Sequence, residues 1–498
     1  MKRLNHVGDW GTQFGMLIVH LKDKMIGSEQ PNVQDLTKFY KEAKARFDAE
    51  PEFKEAARKT VPLLQGGDPE CTKMWKLLCD ISRREFDKVY AMLGVVSEER
   101  GESFYNSRIP GCIAKLKETP GLVVDYDGAQ CVFLTGMTVV SGGPPAGVAA
   151  KTVTFSPPKE YDGELSDWRG RPLFLQKTDG GFGYDSTDMT AIRHRVEEMD
   201  MDWVVYVTDK RQTEHFHMCF ETARRAGWLD VPKSAPPPEK GETVELVKGS
   251  GEAVFERRFE HIGFGMVCQK DPETGKVKPF ATRAGDTVRL VDLLDESRRL
   301  MRASLDERVK EGKSHLSEAE LDDAARKIGY GAVKYFDLKQ HPATDYVFSY
   351  ENMLSTQGDT AVYLMFAYAR FASIVRKGKV EHGLDTADPA FQEAAAALVA
   401  AKGDEALPPL EKEETALALQ LAQLPDVLDA VLSDFLPHRV CEYLYELCEK
   451  GSKFVTQCFV LDTKRPSVMR SRLLLCAATV TMMRQCFALL GIEPPDRI

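Results

Sequence analysis

The sequence predicts an α/β chain whose C-terminal third is all helical. Three observations carry that prediction. Residues 172–229 run strand, helix, strand, helix in quick succession, the pattern of a βαβ unit. Residues 33–108 are charged, with apolar positions at helical spacing. From about residue 345 onward nearly every stretch carries a helical pattern.

Taken in order, residues 4–21 (LNHVGDWGTQFGMLIVHL) read as a glycine-punctuated turn followed by a helix. In 33–108, Leu36, Phe39, Tyr40 and Ala43 mark one apolar stripe, and Phe86, Val89, Tyr90 and Leu93 another. Residues 109–165 change character: VVDYDG and CVFLTGMTVV predict short strands, and the Pro/Gly-rich 141–163 a loop or a hairpin with an excursion. RPLFLQ is a strand. YDSTDMTAIRHRVEEM is a helix opened by Ser186 or Thr187, with Asp188 in its first turn. DWVVYVT (202–208) is a continuous apolar run, which predicts a strand buried on both faces of a parallel sheet. TEHFHMCFETARRAGW is helical, 231–254 a polar loop, 259–267 a strand, and a long helix starts near 288. The helical remainder is interrupted by an Ala-rich, acidic stretch (386–415) containing Pro408-Pro409. The segments divide at 1–32, 33–108, 109–165, 166–300, 301–344 and 345–498.

Composition narrows the function. The 498 residues suit several domains, and 29% charged with 43% hydrophobic residues excludes a disordered or fibrous chain. No run of about 18 apolar residues predicts a membrane span, and the opening MKRLNHVGDWGTQFG has neither an apolar core nor the Arg/Ser-rich pattern of a leader. Eleven cysteines without a C-x-x-C pair predict reduced thiols in an intracellular protein. A net charge of −10 excludes a wholesale nucleic-acid coat and leaves a local basic surface open. No metal constellation stands out. His215 and His217, two apart, point to different sides of a helix.

Three local patterns fall where ligands bind in open α/β sheets. Gly180–Asp188 lies between a strand and a helix; a tyrosine hydroxyl with a carboxylate suits a cation, although Asp188 could equally serve the helix terminus alone. Thr208–Gln212 follows the next strand, and a surface loop is the plainer reading there. Phe280–Thr287 precedes a helix; its hydroxyls, guanidinium and backbone N–H groups could hold a polyphosphate or merely cap that helix.

Together the segments LNHVGDWGTQFGMLI, GGFGYDSTDMTAI, YVTDKRQTEHF, HIGFGMV and ATRAGDTVRLVDLLDE, in this order, closely resemble the arginyl-tRNA synthetases, class I aminoacyl-tRNA synthetases. YVFSYENMLSTQGDTAVYLMFAYAR and SRLLLCAATVTMMRQCFALLGIEPPDRI resemble that family's helical anticodon-binding domain. The resemblance implies an α/β, truncated Rossmann-like class I synthetase catalytic domain with a helical insertion, followed by an all-α anticodon-binding domain. It implies a remnant of the first catalytic half at 1–32, insertions at 33–108 and 109–165, the second half with its phosphate loop at 166–300, a connector at 301–344 and the anticodon domain at 345–498.

It further implies a two-step, ATP-dependent reaction: L-arginine becomes arginyl-adenylate, then passes to the 3′ end of tRNA(Arg), with tRNA typically needed even for the first step. Tyr184 and Asp188 match the guanidinium-reading pair and Gln212 the pocket border. His215, His261, Gly263, Phe264, Gly265 and Met266 match segments lining the adenosine, where close backbone approach to the nucleotide would explain Gly263 and Gly265. Thr282 and Arg283 lie in the loop that closes over the phosphates. Arg439, Arg470, Arg472 and Tyr346 are tRNA-binding candidates; Val440, Leu444 and Leu447 are core. Mg²⁺ is expected with ATP and no protein-only metal site. Other synthetases are candidate partners, no membrane is expected, and the location is cytoplasmic. Two departures stand out. The family's His-Ile-Gly-His-type segment has no counterpart before LNHVGDWG, and His6-Val7-Gly8-Asp9, which matches a later block, is expected to pack structurally. Ala281 stands where many relatives carry lysine. The alternative is a synthetase-derived tRNA-binding or scaffold protein with an impaired ATP site.

Overall fold

Leu173 and Leu175 project to one side of a short strand and are fully buried, which fixes the core of the first half of the chain. The computed structural model describes residues 1–25, 36–134, 138–141, 151–154, 172–230, 257–270, 274–279, 289–400 and 409–498. Two units result: Met1–Ala91 with Val95–Gly263, and Phe264–Ile498 with Met92–Gly94.

The first unit runs β1 (Leu4–Asn5), α1 (Thr12–Met25), α2 (Leu36–Ala49), α3 (Pro51–Gln65), α4 (Pro69–Leu93), β2 (Glu98–Glu99), α5 (Glu102–Asn106), α6 (Ile109–Lys117), β3 (Val124–Tyr126), β4 (Ala129–Val132), β5 (Thr138–Ser141), β6 (Lys151–Thr154), β7 (Leu173–Gln176), α7 (Tyr184–Glu197), β8 (Trp203–Asp209), α8 (Thr213–Arg225) and β9 (Arg258–Phe264). Helices α1–α3 close on Ile18, Leu21, Phe39 and Leu64. Gly15 is needed there, because a Cβ would sit 2.3 Å from the Ala57 carbonyl oxygen. A second core joins Leu116, Leu134, Leu173, Leu175, Met189, Ile192, Phe216 and Cys219.

Several sequence expectations change here. Within 33–108 the described residues are mainly helical from Leu36 to Leu93, but Glu98–Glu99 pairs in parallel with Leu4–Asn5. Phe86, expected in an apolar stripe, is 40% exposed, and Tyr90 accepts a hydrogen bond from the Asn5 amide instead. Residues 109–117 form a helix ahead of the expected strands, which run over Val124–Tyr126 and Ala129–Val132. β5 and β6 make the antiparallel hairpin that was one reading of 141–163, whose excursion lies outside the described residues. Strands β7 and β8 do not pair: β7 is antiparallel to β4, and β8 pairs with β9. Nor is β8 buried on both faces. Tyr206 is buried, while Trp203, Val205 and Val207 are exposed.

The second unit runs β10 (Val267–Lys270), β11 (Val277–Pro279), α9 (Leu290–Lys310), α10 (Glu318–Leu338), β12 (Tyr346–Val347), α11 (Tyr350–Met353), α12 (Ala361–His382), α13 (Pro389–Ala400), α14 (Lys412–Ala422), α15 (Leu424–Asp434), α16 (His438–Gln457) and α17 (Pro466–Leu489). Its core holds Tyr335, Tyr368, Phe371, Phe454, Leu473 and Phe487, and the expected stripe Val440, Leu444 and Leu447 is buried in it. Two helical stretches, Lys412–Asp434 and Pro466–Leu489, are long and apolar enough to cross a membrane by length and composition alone. The second of them buries Leu473, Cys476, Met483 and Phe487 in the core of this unit.

Candidate active site

The site is built on the start of α7. Gly183 is the N-cap, so the helix opens at Tyr184, two or three residues earlier than Ser186 or Thr187. Ser186 instead sits inside the first turn. Its hydroxyl accepts from the Gly183 N–H (3.3 Å) and donates to the Leu175 carbonyl (2.6 Å). The first-turn acid is Asp185, whose Oδ2 accepts from the Phe174 N–H at 2.8 Å. These bonds lash the helix to β7. Asp188 is thereby displaced from the terminus into the second turn, on the same face as Tyr184 four residues before.

That face borders a cavity of about 930 Å³, lined by His6, Glu102, Tyr184, Asp188, Gln212 and His215 among others. His215 comes from the first turn of α8. Its Nε2 is 2.7 Å from Asp188 Oδ2, and its Nδ1 is 3.3 Å from Asp185 Oδ1. Burial disfavours charge on this ring, but the hydrogen bonds to Asp185 and Asp188 outweigh it, so its pKa is raised far above that of an ordinary histidine. His6 Nε2 lies 3.8 Å from Asp188 Oδ1, with its ring stacked on Tyr105 at 5.4 Å. Burial dominates there and lowers its pKa despite Asp188. Glu102, at the start of α5, is pushed up to about 7 by burial and by the negative charge of Asp188 and Asp9. Arg195 is buried with its guanidinium 4.5 Å from the centre of the Tyr206 ring.

Two carboxylates, a phenol and a hydrogen-bonded imidazole converging on one cavity make a receptor for an extended cation. A guanidinium presents five N–H donors in a plane, and acidic groups from two different helices can accept from it together. The sequence missed Glu102 and His6. No spacing links residue 102 to residue 188; the fold alone brings them together.

The remaining predicted residues fall as follows. His261 is on β9, its Nε2 2.7 Å from the Thr208 hydroxyl. Burial, with His217 and His215 nearby, lowers its pKa to about 4. Gly263 is required by the protein itself, since a Cβ would lie 2.8 Å from Lys210 Cα. Gly265 likewise abuts the Thr344 carbonyl oxygen at 2.3 Å. Close approach to the chain's own backbone by itself requires both glycines. Phe264 is 46% exposed, and the Met266 N–H donates to Asp345 Oδ1 at 2.7 Å. Thr282 and Arg283 lie outside the described residues.

Among the tRNA candidates, Arg470 is exposed. Arg439 is partly exposed and paired with Asp434 at 2.8 Å. Arg472 is corrected to a structural role: it is 2% exposed, and its guanidinium is held by Glu414 (2.7 Å), Glu411 (2.5 Å) and the Phe459 carbonyl (3.0 Å). Tyr346 donates to Asp337 at 2.7 Å and packs its ring on Phe336, so it presents no open face for stacking a base on that side. The second unit has instead a groove of about 840 Å³ lined by Lys313, Arg370, Arg376, Lys377, Phe459 and Ile498 among others, with Phe459 68% exposed. Among the described residues, Glu411, Glu413 and Cys458 have metal-ligand spacing, but Glu411 is already paired with Arg472.

Comparison with known proteins fits this geometry. Residues 1–240 and 246–350 match the catalytic domain of the tRNA synthetases class I (R), and residues 364–498 match the DALR anticodon binding domain. The chain belongs to the class I aminoacyl-tRNA synthetases. Within that class it is 40% identical over 501 residues to the arginine–tRNA ligase of Cyanothece sp., covering 100% of this chain and 73% of that protein. It is also 40% identical to the cytoplasmic arginine–tRNA ligase of Arabidopsis thaliana, over 99% of this chain and 70% of that protein. The crystal structure of arginyl-tRNA synthetase from Plasmodium falciparum superposes with a TM-score of 0.72 at 29% identity, over 100% of this chain and 70% of that one. The Thermus thermophilus arginyl-tRNA synthetase shares the fold, with a TM-score of 0.67 at 18% identity, over 99% of this chain and 75% of that one. The chain is a member of the arginine–tRNA ligase family.

Proposed function

We propose that the chain activates L-arginine with ATP and transfers the arginyl group to the 3′ end of tRNA(Arg). The observation that carries this reading is the shared cavity of Tyr184, Glu102 and Asp188. In it the substrate guanidinium meets Asp188 and Glu102, with the Tyr184 hydroxyl and Gln212 at the border. The arginine carboxylate oxygen attacks the ATP α-phosphorus, pyrophosphate leaves, and a terminal ribose hydroxyl of the tRNA then displaces AMP. The protein's contribution is alignment and stabilisation of the charge that develops at phosphorus.

His261, Gly263, Phe264, Gly265 and Met266 are proposed to border the adenosine, and Thr282 and Arg283 to meet the phosphates, with Mg²⁺ arriving on ATP. The basic, aromatic groove of the second unit is proposed to take part of the tRNA. Its cations suit phosphates, and the exposed Phe459 ring suits a base. Arg439 and Arg470 remain further candidates for tRNA contact. A cytoplasmic location and association with other synthetases belong to the same proposal.

The test is arginine-dependent ATP–pyrophosphate exchange by the chain in the presence of tRNA(Arg). The expected result is exchange that falls by roughly 10²–10³ in Asp188→Asn, the scale of a lost buried charge contact. No exchange above background with wild-type chain would refute the activity.

A further inference from the structure

We propose that His215 is a positioning residue for arginine recognition, holding Asp188 so that its second carboxylate oxygen faces the cavity. This deepens the reading above and rests on it for the identity of the cation. It also departs from the family-derived expectation that His215 lines the nucleotide.

The geometry is specific. The two ring nitrogens of His215 each face a different carboxylate, Asp188 Oδ2 at 2.7 Å and Asp185 Oδ1 at 3.3 Å. Ionised carboxylates only accept hydrogen bonds, and an imidazole donates from both nitrogens only when protonated. Asp185 is itself fixed, because its other oxygen accepts from the Phe174 N–H of β7. A continuous tether therefore runs from β7 through Asp185 and the imidazolium to Asp188. Without the ring, two acids three residues apart on α7 would repel each other, and Asp188 would lose its 2.7 Å contact. With it, the imidazolium offsets part of the negative charge of Asp185 and Asp188.

The groups packed around the ring agree. Cys219 Sγ is 3.7 Å away on the same helix, and burial pushes that thiol up to about 11, so it stays neutral. The Tyr184 ring is 5.0 Å away on α7, His261 on β9 is held neutral, and Arg195 and His6 face Asp188.

The experiment uses the full chain with ring-¹⁵N-labelled histidine, followed by calorimetric titration with L-arginine and, separately, with ATP. At pH 8 the His215 ring should carry protons on both nitrogens. His215→Gln should raise the arginine Kd by tenfold or more and change the ATP Kd by less than twofold. Asp185→Asn, which leaves the ring in place if His215→Gln folds poorly, should weaken arginine in the same direction. A neutral His215 ring at pH 8 would overturn the tether. Weakened ATP binding with unchanged arginine binding would overturn the assignment and return His215 to the nucleotide. Failure of the wild-type chain to bind arginine, with the doubly protonated ring observed, would instead refute the arginine reading and reduce the tether to a structural tie.

Discussion

Asp9 accepts two hydrogen bonds from Ser103, from its N–H at 2.8 Å and its hydroxyl at 2.6 Å, across 94 residues of sequence. The same carboxylate occupies the space where a Cβ on Gly101 would fall, at 2.4 Å. Asp9 thus holds the start of α5, and α5 presents Glu102 to the cavity. The expectation that the Gly8-Asp9 block packs structurally describes its contacts, but the structure held in place is one wall of the site.

Asp9→Ala should leave the Ser103 N–H without its acceptor and destabilise the chain by about 1–3 kcal/mol. Arginine binding should weaken as well, although Asp9 touches no substrate in this account. Thermal melting and calorimetry on one preparation check both; unchanged arginine affinity in a destabilised variant would detach Asp9 from the site.

Glu102 sets a pH dependence. Its pKa of about 7, raised by burial and by Asp188 and Asp9, keeps much of it protonated at neutral pH. A cation binds the ionised form, so arginine affinity should rise about tenfold between pH 6 and pH 8. Glu102→Gln should flatten that rise. The sign for stability is opposite. A carboxyl raised above its unfolded value contributes stability that is complete below pH 4.5 and lost as pH rises through about 7. Glu102→Gln should therefore raise Tm at pH 8 and leave it unchanged at pH 4.

Arg472 predicts a stability effect without a direct binding effect. Removing it leaves Glu414, itself 5% exposed, as a buried uncompensated charge. Arg472→Ala should cost about 3–5 kcal/mol in chemical denaturation. Arg472→Ala together with Glu414→Ala should recover much of that loss, whereas full additivity of the two would contradict the pairing.

The groove of the second unit predicts a salt signature. Arg370→Glu and Lys377→Glu should each weaken tRNA binding and reduce its dependence on salt, as expected when a phosphate contact is lost. A filter-binding series across salt concentrations measures this. Unchanged slopes would move the tRNA elsewhere on the domain.

The helices of the second unit were legible because their apolar positions recur at helical spacing, as Val440, Leu444 and Leu447 illustrate. The α7 start was misplaced because a glycine cap leaves no side-chain signal, and Ser186 looks like a cap from sequence while acting one turn inside. The apolar run at 203–208 suggested a strand covered on both sides, yet Val205 and Val207 are exposed; hydrophobicity reports what a strand can bury, not what covers it. Tyr184 and Asp188 could be paired on helical spacing alone. Glu102, His6 and the bond of Asp185 to His215 could not, since they depend on chain crossings that no local pattern encodes. Gly263 and Gly265 are legible as sites of close approach, and each lies against the protein's own backbone.

The most direct measurement is the affinity of the chain for L-arginine against L-lysine, with Asp188→Asn beside wild type. Two carboxylates shaped for a planar, five-donor cation should favour arginine by on the order of 10²-fold, and the variant should lose that preference. Equal affinity for the two amino acids, or an Asp188→Asn chain that still prefers arginine, would contradict the account.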